Sequence, residues 1–307
     1  MKKCILVLLF FHSITCWAQY IDVCDRGPVG DAIAESLHAK SCQKVPASGL
    51  ASVESIYIYD KKITRVTKKM FAGLAGLKEI TLNQTQIEAI EEGSFDNLPQ
   101  LKKIDLSDNK ITKILPKVFQ NLKSLEVLNL VTNQIVVVPT KAFYGSSSIK
   151  DLNLNWNHLT TIQTDAYLSL KSLASLQLFE NRLSVIEPYA FRDLISVKDV
   201  QLSDNKLTSV SREMFAGLSS VTSIDLIKNN FKIIKANSFQ GLNELFTLFL
   251  SDNEIEKIED KAFAGLPSLK ELYLDKNKIS DIDKEKAGLG DNKNLSVVFH
   301  RQKIEGL

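Results

Sequence analysis

The chain has 307 residues, of which 44% are hydrophobic and 24% are charged, and its formal net charge is +2. This apolar content excludes a disordered chain, and the nearly balanced charge does not indicate nucleic-acid binding. The length by itself would suit one or two globular domains.

The first 18 residues have the pattern of a secretory signal peptide. Two lysines follow Met1, an apolar run covers residues 4–11, and Ala18 supplies the small residue at the cut. The run is too short to span a bilayer. We predict cleavage after Ala18 and secretion without an anchor, because 299–307 lacks the apolar tail of a lipid-anchor signal. Loss of Lys2 and Lys3 leaves 36 basic and 36 acidic residues, a formally neutral mature chain.

Residues 19–52 are predicted to form an N-terminal cap. Cleavage removes Cys4 and Cys16, which leaves Cys24 and Cys42 in the mature chain. Two cysteines in an oxidising compartment usually pair, so we predict one disulfide. The Cys-x-x-Cys spacing of zinc sites is absent, and the sequence predicts no metal and no cofactor.

From residue 53 to residue 282 one apolar pattern returns every 24 residues. Apolar residues stand eight, five and three positions before a single polar residue, here called the ladder residue, and two and five positions after it. We number the repeats 1 to 10 by their ladder residues: Lys61, Thr85, Asn109, Asn133, Asn157, Asn181, Asn205, Asn229, Asn253 and Asn277. The pattern predicts ten short parallel strands in a stack, each with one buried face.

Two further columns of this pattern are predicted to be structural. A buried asparagine amide offers both donors and an acceptor, so the eight asparagines are expected to tie their own turn to the next repeat. An aromatic residue ten positions after each ladder residue is expected to fill the core. These residues are Phe71, Phe95, Phe119, Phe143, Tyr167, Phe191, Phe215, Phe239 and Phe263.

The pattern fails after residue 282. Residues 283–307 are predicted either to fold over repeat 10 as a cap, with one last slipped strand within 295–299, or to leave that end free for a partner. The C-terminal end is therefore a candidate dimer contact, and the oligomeric state stays open.

The frame Leu101-x-x-Ile104-x-Leu106-x-x-Asn109-x-Ile111 is that of leucine-rich repeats. The half-repeat that ends in Phe215-Ala216-Gly217-Leu218 resembles Toll-type receptor ectodomains. The signal peptide, single N-terminal cysteine pair and 24-residue period are also similar to short, secreted leucine-rich immune proteins of insects. The chain lacks the coiled-coil tail by which the mosquito members pair. The resemblance implies an α/β solenoid, a horseshoe with a parallel concave sheet and short helical or irregular convex segments.

The positions six, four and two before each ladder residue are predicted to face the concavity, with the preceding position at its rim. The acidic residues at these forty positions are Asp60, Glu79, Asp105, Asp108, Asp151, Glu180, Asp199, Asp204, Asp225, Asp252, Glu271 and Asp275. The basic residues there are Lys103, Lys228 and Lys276. This excess of acidic residues predicts a face that attracts a basic partner and repels nucleic acid. A solvated polar sheet is the alternative explanation.

Two groups of apolar residues also occupy outward positions. The first group contains Val127, Val131, Trp156 and Phe179, and the second contains Ile227, Phe246, Phe249 and Tyr273. We predict that ligand binds at Val131, Trp156 and Phe179, with Asp108, Asp151 and Glu180 around them, and that the second group is a second candidate site. Packing against a neighbouring loop would explain the same residues.

Two sequons, Asn83-Gln84-Thr85 and Asn294-Leu295-Ser296, are predicted glycosylation sites. A glycan on Asn83 would move protein binding toward later repeats.

The sequence predicts a binding protein, not an enzyme. The mature histidines His38, His158 and His300 are far apart along a linear stack, and hydrolase, metalloprotease and phosphate-loop motifs are absent. We expect a secreted recognition protein of humoral immunity that binds another protein or a microbial surface ligand. A structural or adhesive role in the extracellular matrix is the alternative.

Overall fold

The computed structural model describes residues 20–299 of the chain. The predicted signal peptide and its cleavage site, together with His300 and the residues after it, lie outside the described residues.

A parallel sheet of eleven strands forms the concave face. Each strand pairs with the strands of the neighbouring repeats, so that Leu152 lies between Leu128 and Leu176. The strands are Ser55–Tyr59, Glu79–Asn83, Lys103–Asp105, Val127–Asn129, Asp151–Asn153, Ser175–Gln177, Asp199–Gln201, Ser223–Asp225, Thr247–Phe249, Glu271–Tyr273 and Ser296–Val298. The first ten strands confirm the predicted register. One face of each strand is buried because its apolar residues alternate with polar ones.

The eleventh strand lies outside the 24-residue register. Ser296 pairs with Glu271, 25 residues earlier, so the strand is slipped by one residue. Ala287, Leu289 and Leu295, which precede this strand, are buried. Residues 283–298 thus add one further turn to the end of the stack.

The convex side consists of turns and two-residue strands. These outer strands are Arg65–Val66, Ala89–Ile90, Val137–Val138, Thr161–Ile162, Val185–Ile186, Ile233–Ile234 and Lys257–Ile258. Of the two expected forms, the irregular one is therefore found, and the described residues 53–299 contain no helix. Residues with a left-handed backbone conformation interrupt each convex segment, as Lys141 (φ 60°) and Gly145 (φ 82°) do in repeat 4. A right-handed helix cannot continue through such residues.

The aromatic column fills the core as predicted. All nine rings are buried. From Phe71 to Phe191, and again from Phe215 to Phe263, the centroids of consecutive rings lie 5.7–6.3 Å apart. This stacking joins the repeats through a continuous apolar interior.

The asparagine ladder connects each repeat to the preceding one, and the predicted direction toward the next repeat was wrong. The Asn205 Oδ1 accepts the Leu183 N–H at 2.9 Å, and its Nδ2 donates to the Leu178 carbonyl at 3.0 Å. Each asparagine reaches its N-terminal neighbour, where N–H groups such as that of Leu183 have no backbone partner among residues 20–299. Lys61 is exposed in repeat 1, which has no earlier repeat to bond.

Residues 20–52 close the N-terminal end of the stack. The strand Tyr20–Ile21 pairs antiparallel with Val45–Pro46, and the helix Pro28–Ser36 packs against repeat 1. Buried apolar side chains of this segment are Val23, Val29, Ile33, Ala34, Val45 and Leu50. The disulfide Cys24–Cys42 confirms the predicted pairing, with Cα atoms 5.1 Å apart. The Arg26 Nη1 also donates to the Ala72 carbonyl at 2.8 Å, which ties the cap to the first convex turn.

Candidate functional site

The residue before each ladder residue has a left-handed backbone in all ten repeats. Their φ angles lie between 51° and 56° at Asp60, Gln84, Asp108, Thr132, Trp156, Glu180, Asp204, Lys228, Asp252 and Lys276. The chain turns sharply at this position, and the N–H of Trp156 donates to the Phe179 carbonyl of the next repeat at 3.0 Å. Aspartate tolerates this conformation well, whereas a bulky residue adopts it at a cost in free energy.

The first aromatic patch consists of Val127, Val131, Trp156 and Phe179 in repeats 4–6. Trp156 is 53% exposed although its backbone is left-handed. The Phe179 ring meets the Trp156 ring edge-on, with centroids 5.6 Å apart and planes at 82°. Aromatic pairs favour this arrangement. The pair therefore presents an ordered apolar surface in the middle of the concave sheet.

Side-chain amides form a hydrogen-bond network beside this patch. The Asn155 Oδ1 accepts the Phe179 N–H at 2.7 Å, and the Gln177 Nε2 donates to the Asp151 Oδ1 at 3.2 Å. Asn155 and Gln177 also face each other, with Nδ2 and Oε1 3.5 Å apart. The backbone of Phe179 is thereby held by a side chain of the preceding repeat.

The three predicted carboxylates lie at different distances from the patch. Glu180 follows Phe179 directly and neighbours Trp156 in the left-handed column, and Asp151 belongs to the amide network. Asp108 lies two repeats from Trp156, with Thr132 between them, which is about 10 Å at the strand spacing. Glu180 and Asp151 thus border the Trp156–Phe179 pair, whereas Asp108 meets the patch at Val131, whose carbonyl accepts the Asp108 N–H at 3.0 Å.

The second aromatic patch consists of Ile227, Phe249 and Tyr273 in repeats 8–10. The rings of Phe249 and Tyr273 stack with centroids 4.8 Å apart and planes at 18°. Phe246 was wrongly assigned to this group. It precedes the strand Thr247–Phe249, seven positions before its ladder residue, and so lies one column outside the concave positions. Its side chain is 46% exposed just before the N-terminal end of this strand.

Between the two patches lies a central acidic stretch of Asp199, Asp204 and Asp225 in repeats 7–8. Burial, together with the charges of Asp199 and Asp204, raises the pKa of the Asp225 carboxyl. Lys228 approaches Asp204 at 3.2 Å, and Lys276 similarly pairs with Asp252 at 3.1 Å. Two of the three concave lysines are therefore engaged with acids of the rim column.

Comparison with protein families matches repeat models over most of the chain. A leucine rich repeat model matches residues 51–111, 75–135, 99–159 and 124–183, and a model of the BspA type leucine rich repeat region matches residues 160–286. The chain is a leucine-rich repeat protein. None of the curated proteins matches it.

Solved structures with the same fold include Toll and TLR13. The structure of the Toll - Spatzle complex of Drosophila is 24% identical with a TM-score of 0.70, and its glycosylated form has a TM-score of 0.71. The TLR13-ssRNA13 complex is 19% identical with a TM-score of 0.65. The matches cover 80–81% of this leucine-rich repeat protein but only 38–39% of those chains. At these identities the similarity establishes the fold alone.

The TLR13 structure is a complex with RNA. The expectation that this leucine-rich repeat protein repels nucleic acid therefore rests on the charge of its concave face and not on its fold.

Two exposed tyrosines of repeat 1 escaped the sequence prediction. Tyr57 and Tyr59 are 56% and 71% exposed, and the buried Ile56 and Ile58 alternate with them. The Tyr57 hydroxyl donates to Glu79 Oε2, and this bond raises the pKa of Tyr57. The register that identified Phe179 also identifies these residues, because they stand four and two positions before Lys61.

The two sequons occupy different environments. Asn83 ends the strand Glu79–Asn83 beside Tyr59 and is half-buried, while Asn294 is exposed. Thr85 of the first sequon is buried, and its single hydroxyl proton is shared between the Leu82 carbonyl and the Asn109 Oδ1, each 3.1 Å from the hydroxyl oxygen. A glycan on Asn83 would have to be attached before repeat 3 covers Thr85.

Two other kinds of site are absent from residues 20–299. Within that range no group of three or more His, Cys, Asp and Glu side chains could hold a metal ion. No helix in the same range has the length and apolar character needed to cross a membrane. His38 lies exposed in the N-terminal cap and His158 is half-buried in repeat 5, while His300 is outside the described residues.

Proposed function

We propose that this leucine-rich repeat protein is a secreted recognition protein that binds another protein or a microbial surface ligand through the first aromatic patch. Its resemblance to secreted insect immune proteins and Toll-type ectodomains supports a role in humoral innate immunity. Glycosylation at Asn83 and Asn294 belongs to the same proposal. A partner from the extracellular matrix would favour the alternative role in adhesion.

The observation that carries the proposal is the conformation of Trp156. A large aromatic residue is exposed at a left-handed position where the other nine repeats all have polar residues. Folding gains about 0.5–1.5 kcal/mol from the edge-on contact with Phe179, and the left-handed backbone costs about 1–2 kcal/mol, so the ring adds no net stability. A contact outside the folded chain accounts for this cost, because tryptophan is a frequent anchor of interfaces.

The substitution Trp156→Asn tests the proposal. Asparagine removes the ring without adding charge and accepts the left-handed backbone. We expect the melting temperature to stay constant or rise, while affinity for a partner falls at least tenfold, about 1.4 kcal/mol. Phe179→Ser, which copies Ser203 and Ser251 of the same column, should lower affinity in the same way.

Tyr189→Asn is the matched control. Tyr189 is also an aromatic residue with a left-handed backbone (φ 61°) and 51% exposure, but it lies in a convex turn where repeat 8 has Asn237. The wild type and the three variants serve as baits in the body fluid that contains the protein, and captured proteins are measured by quantitative mass spectrometry. A captured set that is insensitive to Trp156→Asn and Phe179→Ser would refute the proposed site.

A further inference from the structure

Aromatic and acidic side chains occupy successive regions of the concave face along the stack. The first aromatic patch occupies repeats 4–6, the central acidic stretch occupies repeats 7–8, and the second aromatic patch occupies repeats 8–10. The Trp156–Phe179 pair is four repeats from the Phe249–Tyr273 pair. At the usual strand spacing, this separation is about 19 Å.

The acids in the middle are incompletely neutralised by the protein. Asp204 pairs with Lys228, but neither Asp199 nor Asp225 forms an ion pair with a lysine or arginine of residues 20–299. Their hydrogen bonds come from neutral groups: the Gln201 Nε2 donates to Asp199 at 2.8 Å, and the Ile227 N–H donates to Asp225 at 2.9 Å. Partly buried carboxylates without a cation favour a ligand that supplies one.

We propose that the two patches and the acids between them form one binding path for an extended, basic segment of a protein partner. This inference rests on the proposed function and specifies its ligand. An extended chain rises about 3.3 Å per residue, so two anchors about 19 Å apart are separated by about six residues. Alternate side chains of the segment face the sheet, which places apolar residues at its two ends and basic residues at the two inward positions between them.

Guanidinium groups suit the acidic stretch. Arginine donates hydrogen bonds in a planar fork that matches a carboxylate, and such charge-assisted bonds are stronger than neutral ones. Apolar residues at the ends would cover the ring pairs and exclude water from the bonds between them. An anionic ligand would meet unpaired carboxylates at the centre of the same path.

A synthetic peptide tests this geometry. Fluorescein-labelled LSRSRSL has leucines six residues apart and arginines at the inward positions, and its binding is followed by fluorescence anisotropy. The peptide LLSRSRS has the same composition without the spacing, and LSESESL reverses the charge. We expect saturable binding of LSRSRSL, with both other peptides at least tenfold weaker. A lack of saturable binding up to about 1 mM would overturn the inference.

Two aspartates of one column provide matched variants. Asp225 accepts the N–H of Ile227, two residues later, and Asp105 in repeat 3 similarly accepts the N–H of Ser107. Asp225→Asn should weaken LSRSRSL about tenfold, and Asp105→Asn, outside the path, should leave its affinity unchanged. Equal effects of the two variants would reduce the inference to general charge attraction and refute it.

The partner captured by wild-type bait separates this inference from the proposed function. If its binding depends on Trp156 but not on Asp225, the concave site stands and the basic segment is wrong. If its binding depends on neither residue, both proposals fail. An oligouridylate that binds as tightly as LSRSRSL and depends on Trp156 would also overturn the inference, because its charge is negative.

Discussion

The asparagine ladder makes a quantitative prediction that separates two of its members. Asn205 and Asn253 are both buried, and the Nδ2 of each donates to three carbonyls. Each of those carbonyls keeps another donor when the asparagine is replaced by alanine. The Leu178 carbonyl, for example, also accepts from the Asn181 Nδ2 at 3.2 Å. The cost of truncation therefore depends on what the Oδ1 atom accepts.

The two Oδ1 atoms accept different numbers of buried N–H groups. That of Asn205 accepts the Leu183 N–H alone, whereas that of Asn253 accepts the N–H groups of Asn229 at 3.1 Å and Phe231 at 3.2 Å. One unpaired buried donor costs about 1–3 kcal/mol. Asn205→Ala should lower the free energy of unfolding by that amount, and Asn253→Ala should lower it by roughly twice as much.

Urea denaturation followed by circular dichroism measures both values. Asn230→Ala, an exposed asparagine beside the ladder, is the matched control and should change stability by less than about 0.5 kcal/mol. Hydrogen exchange gives a local measurement, since the Leu183 amide should lose protection in Asn205→Ala. Equal destabilisation by Asn205→Ala and Asn253→Ala would show that unpaired N–H groups do not control the cost.

Two further predictions concern single titratable side chains. The Tyr167 hydroxyl is buried without a hydrogen-bond partner among residues 20–299, and burial raises its pKa. Tyr167→Phe, which copies the rest of the column, should stabilise the protein by about 1 kcal/mol in the same urea assay, and a loss of stability would contradict this account. The pKa of Asp225 is raised above 3.8, so its charged form is disfavoured in the folded state. Its penalty is absent below pH 3.8 and grows as pH rises through the folded pKa. Asp225→Asn should therefore raise the melting temperature at pH 7 but not below pH 3.8, and an equal gain at both pH values would rule out ionisation as the cause.

The sequence was sufficient to predict the fold because each repeat has the same pattern of apolar and polar residues. A strand with one buried face, an aromatic residue and a ladder residue recur at fixed spacing, so the strand register and the core follow without long-range information. The slipped strand at residues 296–298 was also predictable, since apolar residues reappear there one position late. The same register also places Tyr57 and Tyr59 at outward positions of repeat 1.

Other features depended on how neighbouring repeats meet in three dimensions. The sequence by itself determined which residues point outward, because alternation along a strand is a local property. Only the tertiary structure decided that the ladder bonds backward and that Trp156 meets Phe179 edge-on. It also decided that Asp204 pairs with Lys228 while Asp199 and Asp225 lack such a partner. These properties depend on the direction in which side chains lean across adjacent strands, and a one-dimensional period contains no information about that direction.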